Sequence, residues 1–115
     1  MHELGIMESA LALVQRHAAG QNARRVSRVV LRIGALAGVE NESLRFAFDV
    51  VSRGTLAEGA SFDIEPVPVV VYCGGCRTEF GSEDRSFIFT CPACGDLCGE
   101  IRHGRELELS RIEMS

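Results

Sequence analysis

Two cysteine pairs, Cys73-Gly-Gly-Cys76 and Cys91-Pro-Ala-Cys94, carry the strongest structural signal in this 115-residue chain. A Cys-x-x-Cys turn brings two thiolates within reach of one ion, and a second such turn completes a tetrahedral sulfur cage. The 14 residues between Cys76 and Cys91 are enough for a short hairpin or loop to fold back. Because this spacing is typical of structural zinc sites, we expect these four cysteines to be zinc ligands.

Other uses of paired cysteines compete with the zinc interpretation. Disulfides are disfavoured because the opening Met1-His2-Glu3 lacks the basic and apolar regions of a secretory signal, so a cytoplasmic location is expected. A redox dithiol needs only one pair. A four-thiolate iron site, as in a small electron-transfer protein, remains an alternative because thiolates accept both ions. The fifth cysteine, Cys98, is expected to be a free thiol, although it could substitute as a ligand.

The length and charge of the chain limit its possible functions. Its 115 residues allow one small core with an attached metal module. The net charge of −4 argues against a nucleic-acid partner, although a zinc-ribbon adaptor or nucleic-acid-binding module remains an alternative. No apolar run approaches a membrane span, so no membrane contact is predicted. No nucleophile with a base, phosphate-binding loop or catalytic carboxylate pair is recognisable, and we predict that the protein is not an enzyme.

Two segments have the apolar spacing of amphipathic helices. In residues 4–19 apolar side chains recur every three or four positions, and Gly20 is predicted to be the C-cap. A second helix is predicted to begin at a cap formed by Asn41 or Ser43 and to end before Gly54. The apolar positions of the two helices are Leu4, Met7, Leu11, Val14 and Ala18, and then Leu44, Ala47, Phe48 and Val51.

Three segments alternate between apolar and polar residues and are predicted strands. The first begins near Arg25, the second contains Phe62 and Ile64, and the third begins near Glu106. The apolar phase of the third strand slips by one residue near Ser110, which predicts a β-bulge. Between the second and third strands, Pro66 and Pro68 are expected to mark the exit toward the cysteine module.

The order of these elements predicts an α+β fold. We expect a small three-stranded sheet with two helices on one face and an inserted four-cysteine, zinc-ribbon-like module between two strands of that sheet. Residues 1–68 plus 104–115 form the predicted α/β domain, and residues 69–103 form the module. Few apolar residues lie between positions 72 and 99, so metal binding should supply much of the module's folding free energy.

A histidine at position 2 is a second candidate metal ligand. A free Met1 amine, the deprotonated His2 amide and the His2 Nδ1 can bind one ion through fused chelate rings, with three nitrogens in a plane. Planar nitrogen coordination selects nickel(II) or copper(II). A solvated histidine ahead of a helix would occupy the same position. Position alone therefore does not distinguish a metal ligand from a solvated residue.

Three parts of the chain together resemble the HypA/HybF family of hydrogenase nickel-insertion proteins. They are the opening Met1-His-Glu-Leu-Gly-Ile-Met7, the two cysteine pairs, and the closing Gly104-Arg-Glu-Leu-Glu-Leu109. The resemblance runs from end to end. Cys98 is the one departure from the family pattern.

The resemblance implies a nickel metallochaperone that delivers Ni(II) to the large-subunit precursor of [NiFe]-hydrogenase, together with a hydrogenase maturation GTPase. It assigns His2 as the nickel ligand, Glu3 as its neighbour in the motif and the four cysteines as ligands of structural zinc. Residues 1–68 plus 104–115 then form the nickel-binding domain. His103 is expected to be a solvated loop histidine, and His17 is expected to be structural at a helix C-terminus.

Overall fold

The computed structural model describes residues 2–83 and 87–115. Within this part of the chain there are two helices, α1 (Glu3–Gly20) and α2 (Asn41–Val51), and eight strands. The strands are β1 (Val26–Gly34), β2 (Ser61–Val67), β3 (Val69–Cys73), β4 (Thr78–Ser82), β5 (Phe89–Thr90), β6 (Leu97–Cys98), β7 (Glu100–His103) and β8 (Leu107–Met114). They form three sheets with the orders β2-β1-β8, β4-β3-β7 and β5-β6.

The chain divides into two compact units. The first, which we call the helical unit, consists of Met1–Arg32, Gly38–Glu65 and Glu108–Ser115. The second, which we call the cysteine unit, consists of Ile33–Ala37 and Pro66–Leu107. The predicted functional division between 1–68 plus 104–115 and 69–103 stays a prediction.

The α+β fold class is confirmed. The central sheet has three strands, and the cysteine module lies in the chain between β2 and β8, which both pair with β1. In the helical unit, the ring of Phe48 on α2 stacks on Phe62 of β2 with a centroid distance of 5.0 Å. The charged residues of these strands pair with one another, as in the 2.6 Å contact between Arg28 and Asp63.

Helix α1 buries the predicted stripe except for Leu4, which is exposed, and its C-terminus differs from the prediction. The buried residues are Met7, Ala10, Leu11, Val14 and Ala18. Gly20 belongs to the last helical turn, and the left-handed residue that ends the helix is Asn22, with φ of 52°. The amide of Ala23 donates to the carbonyl of Ala18 at 2.9 Å, which is the Schellman arrangement. The prediction of Gly20 as the C-cap was therefore wrong, since asparagine also tolerates this conformation.

The N-cap of α2 is Glu40, so the predictions of Asn41 and Ser43 were wrong. The Glu40 carboxylate accepts a hydrogen bond from the Glu42 amide at 2.8 Å. Its side chain is longer than that of the usual capping residues, yet it reaches the same orphan donor in the first turn.

The cysteine unit has more regular structure than the sequence predicted. Strand β3 pairs antiparallel with β4 and with β7, with Val71 opposite Phe80 on one side and opposite Ile101 on the other. The buried side chains of Val69, Val71 and Phe89 form a small core there. This core is small enough that a bound metal ion would add substantially to the stability of the unit.

Two glycines approach each other closely within the cysteine unit. Gly104 has φ of 123°, and its carbonyl accepts a hydrogen bond from the amide of Leu36 at 2.6 Å. A Cβ atom added at Gly34 would lie 2.1 Å from the carbonyl carbon and oxygen of Gly104. The contact therefore requires glycine at position 34.

Strand β8 keeps the irregular phase seen in the sequence. Leu109 and Ile112 are both half-buried although they are three residues apart, whereas a regular strand brings residues two or four apart to one face. The predicted β-bulge near Ser110 agrees with this burial pattern and stays a prediction.

Candidate metal sites

The four predicted cysteines come together in the cysteine unit. Cys73 ends β3, Cys76 lies in the turn before β4, and Cys91 and Cys94 lie between β5 and β6. Their four Sγ atoms all lie within 4.8 Å of one another. Cys73 and Cys91 are buried, and Cys94 is exposed.

The sulfur distances distinguish a metal cage from disulfides. The Sγ atoms of Cys73 and Cys94 are 3.6 Å apart, and those of Cys76 and Cys91 are 3.9 Å apart. Four sulfurs placed tetrahedrally at about 2.3 Å from one ion are about 3.8 Å from each other. A disulfide needs an S–S distance of about 2.05 Å, so the geometry is that of a four-thiolate metal site.

Each cysteine pair lies in a turn that directs backbone N–H groups at sulfur. The Cys76 amide donates to Cys73 Sγ at 3.5 Å, and the Asp96 amide donates to Cys94 Sγ. A left-handed residue follows the second cysteine of each pair, Arg77 with φ of 55° and Gly95 with φ of 79°. Glycine adopts this conformation without strain in the second turn, and Arg77 takes the corresponding conformation in the first.

Backbone amides and neighbouring thiols shift the pKa values of Cys73 and Cys94. The Cys76 amide lowers the pKa of Cys73 to about 6, with help from the thiol of Cys94. The Asp96 amide opposes the shift of Cys94, but the thiol of Cys76, burial and the other thiols raise its pKa to about 12. Four sulfurs this close therefore do not all ionise by themselves, and a bound cation would supply the charge that makes them thiolates.

Cys98 lies outside the four-sulfur group. It is half-buried in β6 opposite Phe89, and its Sγ donates to the carbonyl of Asp96 at 3.6 Å. Loss of solvent raises the pKa of this thiol to about 11, and the neighbouring Cys73 thiol acts in the same direction. It is a neutral thiol beside the cluster.

His2 is exposed and stands immediately before α1. Its carbonyl accepts the amide of Ile6 at 3.0 Å, and its side chain makes no capping hydrogen bond. The imidazole is therefore available to a metal ion. The predicted Met1 amine ligand lies outside the described residues.

The Glu3 carboxylate, next to His2 in the chain, makes a contact that the sequence did not indicate. The Glu3 carboxylate accepts the amide of Glu40 at 3.0 Å, and this hydrogen bond holds the pKa of Glu3 below its ordinary value. Glu40 is 37 positions away, so only the packing of α1 against the start of α2 could reveal their proximity.

An open groove lies next to His2 in the helical unit, with a volume of about 820 Å³. Its lining residues are His2, Glu3, Leu4, Gly5, Glu8, Glu42, Ser43, Phe46 and Ala47. The side chain of Phe46 is 69% exposed and that of Leu4 is 52% exposed, which is unusual for large apolar residues. Every ionisable side chain in the lining except His2 is acidic, so the groove is apolar with an acidic rim.

The other histidines do not join the described metal cluster. His103 is exposed, and its Nδ1 lies 3.0 Å from the Glu106 carboxylate. Burial acts to raise the pKa of Glu106, but the Gly104 amide and His103 together hold it below its ordinary value. His17 lies in the last turn of α1, where a basic residue suits the helix C-terminus.

Among the described residues, no helix is both long and apolar enough to cross a membrane.

Comparison with known proteins agrees with these features. A family model for hydrogenase/urease nickel incorporation, the metallochaperone HypA, matches residues 1–114. Hydrogenase maturation factor HypA of Chloroflexus aurantiacus (strain ATCC 29366 / DSM 635 / J-10-fl) is 46% identical over 113 residues, 98% of each chain. The HypA of Picosynechococcus sp. (strain ATCC 27264 / PCC 7002 / PR-6) is 42% identical over 114 residues, 99% of each chain.

The fold agrees with a solved structure as well. The solution structure of the Ni metallochaperone HypA from Helicobacter pylori has a TM-score of 0.67 to this chain at 26% identity. The match covers 99% of this chain and 97% of that one. The chain therefore belongs to the HypA family of nickel-incorporation metallochaperones.

Proposed function

We propose that this protein binds Ni(II) at His2 and delivers it to the large-subunit precursor of a [NiFe]-hydrogenase, while a zinc ion in the four-cysteine cluster supports its fold. The observation that carries the proposal is the exposed His2, without a side-chain cap, in a chain whose family match begins at residue 1. The protein is a carrier in the cytoplasm and catalyses no reaction.

Zinc is the ion proposed for the cysteine cluster. Cys73, Cys76, Cys91 and Cys94 would hold it with four thiolates and no open position, so the ion would organise structure and take no part in nickel chemistry. Amide N–H groups directed at Cys73 and Cys94 would offset part of the thiolate charge.

Nickel is proposed to bind at the chain end because a carrier must also release its ion. The Met1 amine, the His2 amide and the His2 imidazole would provide three nitrogens, and planar nitrogen ligands favour Ni(II). All three must give up a proton to bind, so protonation would drive release to a receiving site. An exposed chelate can pass its ion to a partner without unfolding the carrier.

The acidic-rimmed groove is the proposed docking surface for a hydrogenase maturation GTPase. It lies beside His2, and its exposed apolar residues, Leu4 and Phe46, need a partner to cover them. The rim formed by Glu3, Glu8 and Glu42 favours a partner surface with an apolar side chain flanked by lysine or arginine. Docking there would place the partner next to the nickel ligand.

The His2→Ala variant tests the division between a transfer site and a structural site. We expect it to lose tight nickel binding, because an imidazole ligand is removed. Its zinc content and melting temperature should stay close to those of the native protein, because His2 is exposed and buries little. Calorimetry with nickel, metal analysis and thermal unfolding measure these quantities. A His2→Ala protein that loses zinc or melts much earlier would contradict the division.

A second prediction concerns the groove. Phe46→Asp should weaken binding of the maturation GTPase by about tenfold or more, because it replaces an exposed apolar anchor with a carboxylate that would lose its hydration against the apolar side chain of the proposed partner surface. Nickel binding and stability should change little, since Phe46 is exposed. Leu13→Asp is a matched control, because Leu13 is also exposed on a helix but does not line the groove. Equal GTPase binding by native and Phe46→Asp proteins would show that the groove is not the docking surface.

A further inference from the structure

The fifth cysteine lies on the same face of the cysteine unit as one ligand of the four-sulfur cluster. Along β3, Val69, Val71 and Cys73 are buried and the residues between them are half-buried, so these three side chains share the inner face. Cys98 packs against Val69, Val71 and Phe89, the core on that face. Cys73 and Cys98 therefore approach each other from β3 and β6.

Backbone geometry holds Cys98 beside the second cysteine turn. The carbonyl of Asp96 accepts both the Cys91 amide at 2.9 Å and the Cys98 thiol at 3.6 Å. A single oxygen thus joins the amide of one cluster cysteine to the sulfur of Cys98. A rotation of this side chain toward the cluster would break the hydrogen bond to Asp96, which is weak because a thiol is a weak donor.

Cys73 is the cluster member that Cys98 is best placed to replace. The pairing of Tyr72 with Glu100 brings the chain that leads from Cys98 into β7 alongside the end of β3, where Cys73 lies. Strand β4 pairs with the opposite edge of β3, so the turn that carries Cys76 lies on the side away from β7. Cys76 lies in the turn after β3 and approaches Cys91 instead, at 3.9 Å between sulfurs.

We infer that Cys98 is a reserve zinc ligand that can take the coordination position of Cys73 but not that of Cys76. This inference rests on the proposed assignment of zinc to the cluster. In the native protein Cys73 holds the position, and the fifth sulfur lets the site keep four thiolates when Cys73 is oxidised, modified or replaced.

The test compares two single variants of the full chain, Cys73→Ser and Cys76→Ser, with and without Cys98→Ser. Each apo protein is titrated with zinc and with Co(II), whose thiolate charge-transfer absorption rises with the number of sulfur ligands. We expect Cys73→Ser to keep about one ion per chain with the native cobalt absorption, and to bind zinc about tenfold or more tighter than Cys76→Ser. Cys76→Ser should show about a quarter less cobalt absorption, as expected for three sulfurs in place of four.

The double variant supplies the second readout. Cys73→Ser with Cys98→Ser should fall to the level of Cys76→Ser in cobalt absorption and zinc affinity. In the zinc-loaded Cys73→Ser protein, Cys98 should also be protected from alkylation, as mass spectrometry would show. The inference is overturned if Cys98→Ser changes nothing in the Cys73→Ser background, or if both Cys73→Ser and Cys73→Ala are recovered without zinc. A native protein that binds no zinc would instead defeat the zinc assignment.

Discussion

Cys91→Ser is expected to lose most of its zinc and to unfold the cysteine unit. Cys91 is 2% exposed, and its sulfur lies next to that of Cys76. Structural zinc contributes about 10–16 kcal/mol of binding free energy to small peptides that fold around it. The buried core of Val69, Val71 and Phe89 is too small to replace a contribution of that size.

The one tyrosine of the chain allows unfolding of the cysteine unit to be measured. The chain has one tyrosine and no tryptophan, and Tyr72 lies in β3 with the guanidinium of Arg102 4.1 Å from its ring. Tyrosine fluorescence and near-ultraviolet circular dichroism should therefore report on the cysteine unit, while zinc is counted by metal analysis. The control is Cys98→Ser, which should keep about one ion per chain and native signals. If Cys98→Ser loses zinc as completely as Cys91→Ser, the proposed ligand set is wrong.

Gly34→Ala is expected to destabilise the zinc-loaded protein by about 3 kcal/mol or more, at the upper end of the cost of overpacking. The new Cβ would lie 2.1 Å from the carbonyl atoms of Gly104 and 2.6 Å from the amide nitrogen of Arg105. These are backbone atoms, so a change of rotamer cannot remove the overlap. The chain must move apart and lose hydrogen bonds, among them the one from Leu36 to Gly104.

Urea unfolding at saturating zinc measures the effect. Gly74→Ala is the matched control, because it lies in the same unit with ordinary φ and no atom within 4 Å of its added Cβ. We expect Gly74→Ala to stay within about 1 kcal/mol of the native protein. If Gly34→Ala and Gly74→Ala unfold at the same urea concentration, the close approach of Gly34 and Gly104 does not constrain the fold.

Elements with a strong apolar period could be predicted from the sequence. Most of the α1 stripe and the three strands of the central sheet followed directly from spacing, because burial of one face dominates their stability. Boundaries were less predictable. Gly20 and Ser43 are better C-cap and N-cap residues by propensity, yet Asn22 and Glu40 end and begin the helices because the local hydrogen bonds decide the position.

Strands β3, β4 and β7 were not predicted, because Pro66 and Pro68 indicated a linker and the cysteines dominated the segment. Pro66 in fact lies in β2, and Pro68 falls between β2 and β3. Among the candidate site residues, the four cysteines could be recognised from their regular spacing. The contact between Glu3 and Glu40 joins residues 37 positions apart, and no local pattern in the sequence could indicate it.

The central claim is that nickel binds to the Met1 amine and His2 together. Nickel calorimetry on the native protein and on a protein with one residue added before Met1 tests it most directly, with one residue added after Ser115 as the control. The addition turns the Met1 amine, with an ordinary pKa of about 7.7 to 8.0, into a far less acidic amide while every side chain remains. We expect a severe loss of nickel affinity with the N-terminal addition only, and native affinity that falls as the pH drops from about 8 to about 6, since protons compete for the nitrogens. Equally tight nickel binding by the N-terminally extended protein would contradict the claim that the Met1 amine is a ligand. His103 and the cysteine cluster would then be the candidate nickel sites.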